Sequence, residues 1–173
     1  MMKAAVVYES SFGNTRRLAE TIGETLAHHG LDVVVCAVDE RLPRLDDLDL
    51  IVVGAPTQVH GLSSARSRQT AIDQGGAERD APGVGVRGFF EKHPPLLGVR
   101  AAAFDTRVDR SAILVGSAAR SIAKRLERSG AVLVAPPESF FVETKSNTLL
   151  FGELGRAAQW ARGLAEISAP VAV

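Results

Sequence analysis

The sequence predicts an α/β fold, a three-layer, doubly wound, five-stranded parallel sheet with helices on both faces. Five apolar runs recur along the chain with helix-like stretches between them. Each run is continuously apolar rather than alternating, which is typical of parallel strands that are covered on both sides. The 173 residues, 46% of them apolar, are enough for one domain with a core. We therefore expect residues 1–173 to form a single domain.

The predicted strands are residues 3–9, 31–38, 48–55, 99–105 and 131–137. Each contains a β-branched or alanine-rich apolar run. Residues 139–152 are expected to continue the fifth strand, turn at "KSN" and cross to the last helix. Because helical patterns separate the strands, successive strands are expected to run parallel.

The predicted helices are residues 14–29, 63–74, 85–92, 117–129 and 152–167. In the first of them, Leu18, Ile22 and Leu26 recur every four residues and define one apolar face. Ser117 stands where an N-cap is expected before the fourth helix. The second and third helices are separated by a stretch rich in glycine, proline and charge, so the sequence predicts a mobile insertion around 73–84.

Charge and composition exclude several classes of function. Basic and acidic residues are equal in number, 20 each, so the chain lacks the basic excess typical of proteins that bind nucleic acid. Cys36 is the only cysteine and stands in an apolar run, which predicts a buried, inert thiol and no disulfide within the chain. There is no cysteine and histidine spacing typical of a metal site. No apolar window approaches the ~20 residues of a membrane span, so we expect a soluble, cytoplasmic protein without membrane insertion.

A hydroxyl-rich turn, "SSFGNT" at 10–15, lies between the first strand and the first helix. Ligands of open parallel sheets bind beyond the carboxyl ends of the strands, and a helix start offers unpaired N–H groups to an anion. The serine and threonine hydroxyls add further donors, and Gly13 permits close backbone approach. The glycine patterns of dinucleotide loops and P-loops are absent. We interpret the turn as a site for a phosphate monoester; the alternative is an ordinary helix start capped by Ser11 or Asn14.

The turn resembles the phosphate signature of flavodoxins, Ser/Thr-x-Thr-Gly-x-Thr, with Phe12 at one threonine position. The resemblance covers nearly the whole chain and implies the flavodoxin-like strand order 2-1-3-4-5. It also implies that flavin mononucleotide (FMN) binds without a covalent bond. On this basis the phosphate would lie against the following residues: Ser10, Ser11, Phe12, Gly13, Asn14 and Thr15.

The same resemblance assigns two more loops to the flavin ring. "APTQVHGL" is similar to a loop of flavodoxin-like quinone reductases, which implies a ring wall formed by Pro56, Thr57, Gln58, Val59, His60 and Gly61. The loop after the fourth strand implies ring-edge contacts from Asp105, Thr106 and Arg107. The alternatives are a solvated His60 and an ion pair between Arg107 and Asp105 or Asp109. Many flavodoxins stack a tyrosine or tryptophan in this second loop, and residues 105–117 contain neither.

Three functional hypotheses follow from the resemblance. The first is an electron-transfer flavodoxin that exchanges electrons with a redox partner protein. The second is an FMN-dependent NAD(P)H:quinone oxidoreductase, favoured by the "APTQVHGL" loop and the missing aromatic residue. The third is a flavodoxin-like domain that has lost flavin binding, suggested by Phe12. Because the flavin would perform the chemistry, we nominate no catalytic residue. The sequence leaves the oligomeric state open.

Overall fold

The computed structural model describes residues 1–40, 44–58, 61–74, 84–93, 95–110 and 116–168, apart from the side chain of residue 46. The strands are β1 Lys3–Tyr8, β2 Asp32–Ala37, β3 Leu50–Pro56, β4 Arg100–Val108, β5 Val132–Leu133 and β6 Glu138–Val142. The helices are α1 Asn14–His28, α2 Ala65–Asp73, α3 Val86–Lys92, α4 Ala118–Arg128 and α5 Glu153–Ser168, with a short 3-10 helix at Leu45–Asp47. Most of the predicted insertion at 73–84 lies outside the described residues.

The strands form one parallel sheet in the order β2-β1-β3-β4-β5, which confirms the predicted order 2-1-3-4-5. The register places Val6 of β1 between Val35 of β2 and Val52 of β3. Crossovers between parallel strands bring the carboxyl ends of β1, β3 and β4 to the same edge of the sheet. The loops that follow these three strands are therefore neighbours.

The fifth position of the sheet is shared by two short strands. β5 pairs with Arg100–Ala101 of β4, and β6 pairs with its later residues, Phe104–Val108. Between them, residues 102–103 of β4 face residues 134–137. This stretch includes the proline pair at 136–137, which has no N–H to donate to the ladder. The single predicted strand at 131–137 is thus divided, and the predicted turn before the last helix is present at 144–146.

Two apolar cores lie on opposite faces of the sheet. Because successive strand residues point to opposite faces, Val7 belongs to the core under α3 and α4, and Val6 to the core under α1 and α5. The predicted apolar face of α1 is fully buried in the second core. This arrangement confirms the three-layer, doubly wound fold.

An aromatic cluster lies between the sheet and α5. The ring of Phe104 lies edge to face with Phe140 and Trp160, with centroid separations of 6.2 Å in both cases. Gly54 of β3 is paired with Phe104, and a Cβ atom on Gly54 would lie 2.1 Å from Cζ of that ring. No side chain fits at position 54 unless Phe104 moves.

Cys36 is buried on the other face of the sheet, as predicted. Burial raises the pKa of the Cys36 thiol to about 11, and the negative charge of Glu40 adds to the effect. The thiol is therefore neutral and poorly reactive near neutral pH.

No helix in the described ranges is long and apolar enough to cross a membrane. The same residues contain no group of three histidine, cysteine, aspartate or glutamate side chains that could hold a metal ion.

Candidate functional site

The loop that links β1 to α1 is organised around Ser10. Gly13, with φ of 84°, occupies the N-cap position of α1 in a left-handed conformation that favours glycine. The Ser10 hydroxyl oxygen accepts hydrogen bonds from the backbone N–H of Gly13 at 3.1 Å and of Arg16 at 3.4 Å. Gly13 is therefore the N-cap, in place of Ser11 or Asn14 as the alternative had it, and Ser10 accepts one first-turn N–H of α1 from outside the N-cap position.

The two loop serines, Ser10 and Ser11, both accept hydrogen bonds. A serine hydroxyl has one donor and two acceptor sites, and the two N–H groups occupy both acceptor sites of Ser10. Ser11 accepts from the side-chain amide of Gln58 at 3.3 Å. Neither the hydroxyl hydrogen of Ser10 nor that of Ser11 has an acceptor among the described residues. Both are therefore free to donate to a ligand.

Two further loop residues connect the turn to distant segments. Thr15 and Thr106, both buried, share a hydrogen bond of 3.0 Å between their hydroxyl oxygens, which uses one of their two hydroxyl hydrogens. The amide nitrogen of Asn14 donates to the backbone carbonyl of Asn147 at 2.6 Å. The loop is thus held against the end of β4 and against the turn that precedes α5.

The resulting surface is rich in donors. The N–H groups in the first turn of α1 lack intrahelical acceptors, and the helix dipole adds positive potential at the same point. Together with the hydroxyl hydrogens of Ser10 and Ser11, these groups suit an anion with several acceptor oxygens. Phe12 is 44% exposed and contributes an aromatic surface in place of a hydroxyl.

The loop after β3 lies beside this surface, and backbone hydrogen bonds join Gln58 to Gly61. Gln58 and Gly61 exchange two backbone hydrogen bonds of 2.8 and 3.0 Å. Thr57 is tied to β4 because its N–H donates to the carbonyl of Thr106 at 2.8 Å. Pro56 is the last residue of β3 and is paired with Thr106. The start of this loop therefore lies next to the end of β4, while the predicted site residues Val59 and His60 lie outside the described residues.

Asp105 is fully buried at the end of β4 and points to the start of α4. Its Oδ2 accepts from the hydroxyls of Thr57 at 3.0 Å and Ser117 at 2.7 Å, and from the N–H of Ala119 at 2.9 Å. Ser117 in turn accepts from the N–H of Arg120, which confirms it as the predicted N-cap. These contacts make Asp105 a helix-capping residue, and its predicted contact with a flavin ring stays a prediction.

Two buried acceptor atoms at this edge have no partner among the described residues. They are Oδ1 of Asp105 and Oε1 of Gln58. Burying an acceptor without a hydrogen bond costs ~1–3 kcal/mol. Both atoms are shielded from solvent, so they mark unsatisfied acceptors in the packing behind the loops.

Arg107 is directed toward β6. Its Nε donates to the hydroxyl of Ser139 at 3.1 Å, and its Nη1 donates to the carbonyl of Arg110. Its guanidinium also lies 5.0 Å from the centroid of the Phe141 ring. Arg107 makes these contacts instead of an ion pair with Asp105 or Asp109, and its predicted contact with the ring edge remains untested.

A buried polar cluster that sequence reasoning missed lies directly behind the loop. Glu9, which follows β1, accepts from the hydroxyl of Ser63 and from the N–H of Val86 at 3.0 Å. Arg68 donates to the same serine hydroxyl at 3.0 Å. The cluster holds the long connection between β3 and β4 against β1. The available signal was a charged residue placed immediately after a buried strand.

The fold and the loop geometry together define a doubly wound α/β domain with an anion-binding loop after its first strand. The flavodoxin family model matches residues 6–148. That range is most of the chain, so this protein belongs to the flavodoxin family. No curated protein matches it.

Solved structures share the fold at low sequence identity. A flavodoxin from the domain Archaea is 23% identical with a TM-score of 0.64, over 96% of this chain and 99% of the other. Oxidised flavodoxin 1 from Bacillus cereus is 17% identical with a TM-score of 0.64, over 95% and 97%. A flavodoxin, WrbA-like protein from Agrobacterium tumefaciens is 16% identical with a TM-score of 0.63, over 97% and 98%. At these identities the likeness concerns the fold alone.

Proposed function

We propose that this protein binds FMN at the carboxyl edge of the sheet and serves as an electron carrier for a redox partner protein. The observation that carries the proposal is the donor-rich surface of residues 10–15. The hydroxyl hydrogens of Ser10 and Ser11 have no acceptor among the described residues, and the backbone N–H groups of Asn14 and Thr15, in the first turn of α1, have no intrahelical acceptor. Membership of the flavodoxin family supports the same cofactor.

The residues present fit the chemical groups of FMN. Ser10, Ser11 and Thr15 would hold the phosphate as hydrogen-bond donors. Phe12, which is 44% exposed, would supply an aromatic surface beside the phosphate. When bound, FMN supplies reversible uptake and release of electrons. The protein contributes binding, orientation and the exclusion of water.

A second candidate is an FMN-dependent NAD(P)H:quinone oxidoreductase. Two observations favour it over a carrier alone. Residues 105–117 contain no tyrosine or tryptophan to cover the flavin ring. A cavity of about 660 Å³ also lies beside the loops after β1 and β3, and arginine side chains line it. An uncovered ring and an adjoining cavity would admit a small substrate.

The first experiment is a titration of purified protein with FMN, read by calorimetry and by the visible spectrum after desalting. Ser10→Ala should weaken FMN binding, because it removes a hydrogen bond to a charged group worth about 1.5–3 kcal/mol. That loss corresponds to a dissociation constant roughly 10- to 150-fold higher. NADPH is then added to the FMN-loaded protein. Fast bleaching would favour the oxidoreductase, and an unchanged spectrum would favour the carrier.

Ser64→Ala is the matched control. Ser64 caps α2 by accepting from the N–H of Ser67 at 3.1 Å, so this variant also loses a serine hydroxyl that accepts a first-turn N–H of a helix, but it leaves residues 10–15 intact. Both variants should lose about 0.5–2 kcal/mol of stability, and only Ser10→Ala should lose FMN affinity. Equal FMN affinity in the two variants would contradict the placement of the phosphate. A protein that retains no FMN after desalting would support a domain that has lost flavin binding.

A further inference from the structure

A cavity of about 660 Å³ lies between the phosphate-loop region, the loop after β3 and helix α2. Phe12 and Gln58 line it from the two loops, Arg66 and Thr70 from α2, and Arg87 from α3. Pockets for small molecules typically enclose ~300–1,000 Å³. The cavity is therefore large enough for a compound with one or two rings.

The charged residues that line the cavity in the described part of the chain are cationic. Arg66 and Arg87 both contribute side chains, and no acidic residue is among the described residues that line it. Arg66 is exposed and forms no ion pair with any residue that the structure describes. Arg87 is fixed at the cavity wall because its Nη2 donates to the carbonyl of Leu62 at 3.3 Å. Since the whole chain has no net charge, this is a local concentration of positive charge.

Its apolar lining consists of one aromatic ring and two aliphatic side chains. Phe12 presents an exposed ring, while Leu62 and Ala71 are buried and form the apolar wall. An exposed phenylalanine ring offers a flat surface on which a planar ligand stacks. A guanidinium beside it offers directed hydrogen bonds to sulfonate, carboxylate or phosphate oxygens.

We propose that this cavity binds a small aromatic anion, a planar ring compound that carries a phosphate, carboxylate or sulfonate group. A nicotinamide nucleotide and an anionic quinone share this chemistry. The cavity borders the proposed FMN site through Phe12 and Gln58, so the bound ring lies next to the cofactor loops. The redox use of the ligand rests on the proposed function, whereas its binding requires no flavin.

The experiment is calorimetric titration of FMN-saturated and FMN-free protein with two matched pairs of probes. The first pair is 1,4-naphthoquinone-2-sulfonate and menadione, which differ chiefly in the anionic group. The second pair is NADPH and NADH, which differ by one phosphate. In at least one pair, the member with the additional anionic group, the sulfonate or the extra phosphate of NADPH, should bind on the order of tenfold tighter than its partner, and added salt should reduce this preference.

Variants then connect the preference to the cavity. Arg66→Ala should abolish the tenfold preference, and Arg66→Lys should restore part of it because the positive charge returns. Arg162→Ala removes an exposed arginine of α5 that does not line the cavity, and it should behave like the wild type.

A preference confined to the naphthoquinone pair would identify an anionic quinone, and one confined to the nucleotide pair would identify NADPH. Equal affinities within both pairs, or a preference unchanged in Arg66→Ala, would overturn the inference. Loss of probe binding on saturation with FMN would also overturn it, because the cavity would then belong to the FMN site. Arg66-dependent binding in a protein that does not bind FMN would overturn the proposed function and leave this inference standing.

Discussion

The hydroxyl oxygens of Thr15 and Thr106 lie 3.0 Å apart in the buried interior, at the start of α1 and near the end of β4. β3 separates β1 from β4 in the sheet, so this bond reaches across the central strand. It fixes the position of the proposed phosphate loop relative to the proposed ring-edge loop.

Replacing either threonine by valine should destabilise the protein. Each single variant leaves the other hydroxyl buried without its partner, which costs about 1–3 kcal/mol. The double variant, Thr15→Val with Thr106→Val, should cost less than the sum of the two single changes, because no unpaired hydroxyl remains. Chemical denaturation, monitored by circular dichroism, measures the change in free energy of unfolding for the two single variants and the double variant.

The same variants test the site. Thr15→Val and the double variant should both bind FMN more weakly than the wild type, although the double variant regains stability. Thr21→Val, on the exposed side of α1, is the control and should leave FMN affinity unchanged. Additive stability losses would contradict the shared hydrogen bond.

Gly54→Ala should be among the most destabilising single substitutions in the sheet. The added methyl would lie 2.1–2.5 Å from three atoms of the Phe104 ring, so the strand or the ring has to move. Overpacking of this kind costs about 1–3 kcal/mol or more. Thermal unfolding measures the loss, and Phe104→Leu in the same chain should recover part of it.

Gly163→Ala is the control for this substitution. Apart from its own helix backbone and chain neighbours, no atom lies within 4 Å of the position that its new Cβ would occupy, and Gly163 is inside α5. Helix propensity then favours alanine by about 0.5–1 kcal/mol. A Gly54→Ala variant as stable as the wild type would mean that Phe104 relaxes at no cost.

Arg156 should stabilise the protein at neutral pH and stabilise it less at acid pH. Its Nη2 lies 2.7 Å from Glu153, and it also pairs with Glu138 and lies over the Phe140 ring. Burial opposes ionisation of Glu153, but hydrogen bonds from Arg156 and from the N–H of Phe141 outweigh it and lower its pKa. The stabilisation is therefore present above the ordinary pKa of about 4.5 and is lost as the pH falls below it.

Arg156→Gln should cost about 1–2 kcal/mol at neutral pH, since the arginine is partly exposed and solvent screens part of the interaction. Urea denaturation at pH 7 and at pH 3 measures the difference between variant and wild type. That difference should shrink at the lower pH. A difference that is the same at both values would exclude ionised Glu153 as the source.

Cys36 should make the wild type sensitive to alkaline pH. Its folded-state pKa is raised from 9.0 to about 11, so the stability associated with the neutral thiol is present below pH 9 and lost between pH 9 and about 11. The loss corresponds to roughly 2–3 kcal/mol. Urea denaturation of the wild type and of Cys36→Ala across this pH range isolates the loss in free energy of unfolding, because the other groups titrate equally in both proteins. Rapid alkylation of the native protein at pH 8 would contradict a buried thiol.

The layers and strand order could be predicted because buried parallel strands leave a direct pattern in the sequence. Runs such as that containing Val6 are apolar on both faces, and the repeat of Leu18, Ile22 and Leu26 marks one helix face. The division of the last strand position was not predicted. The proline pair at 136–137 follows an apolar run without a break, and the interruption becomes apparent only when its partner residues on β4 are known.

The site was predictable in position and less so in detail. The positions of the loops after β1 and β3 follow from the sheet topology. The contact of Ser10 with the first turn of α1 and the role of Asp105 as an anchor for α4 depend on side-chain directions that spacing does not specify. Glu9 was overlooked because its partners, Ser63 and Val86, come from a connection far along the chain.

Trp160 is the only tryptophan of the chain, and it packs against Phe104, which directly precedes Asp105. All indole fluorescence of this protein therefore arises at one place, under the strand that carries part of the proposed site. A shift in the position or intensity of that emission reports a change in the packing behind the site. The native chain thus carries its own optical reporter and requires no attached dye.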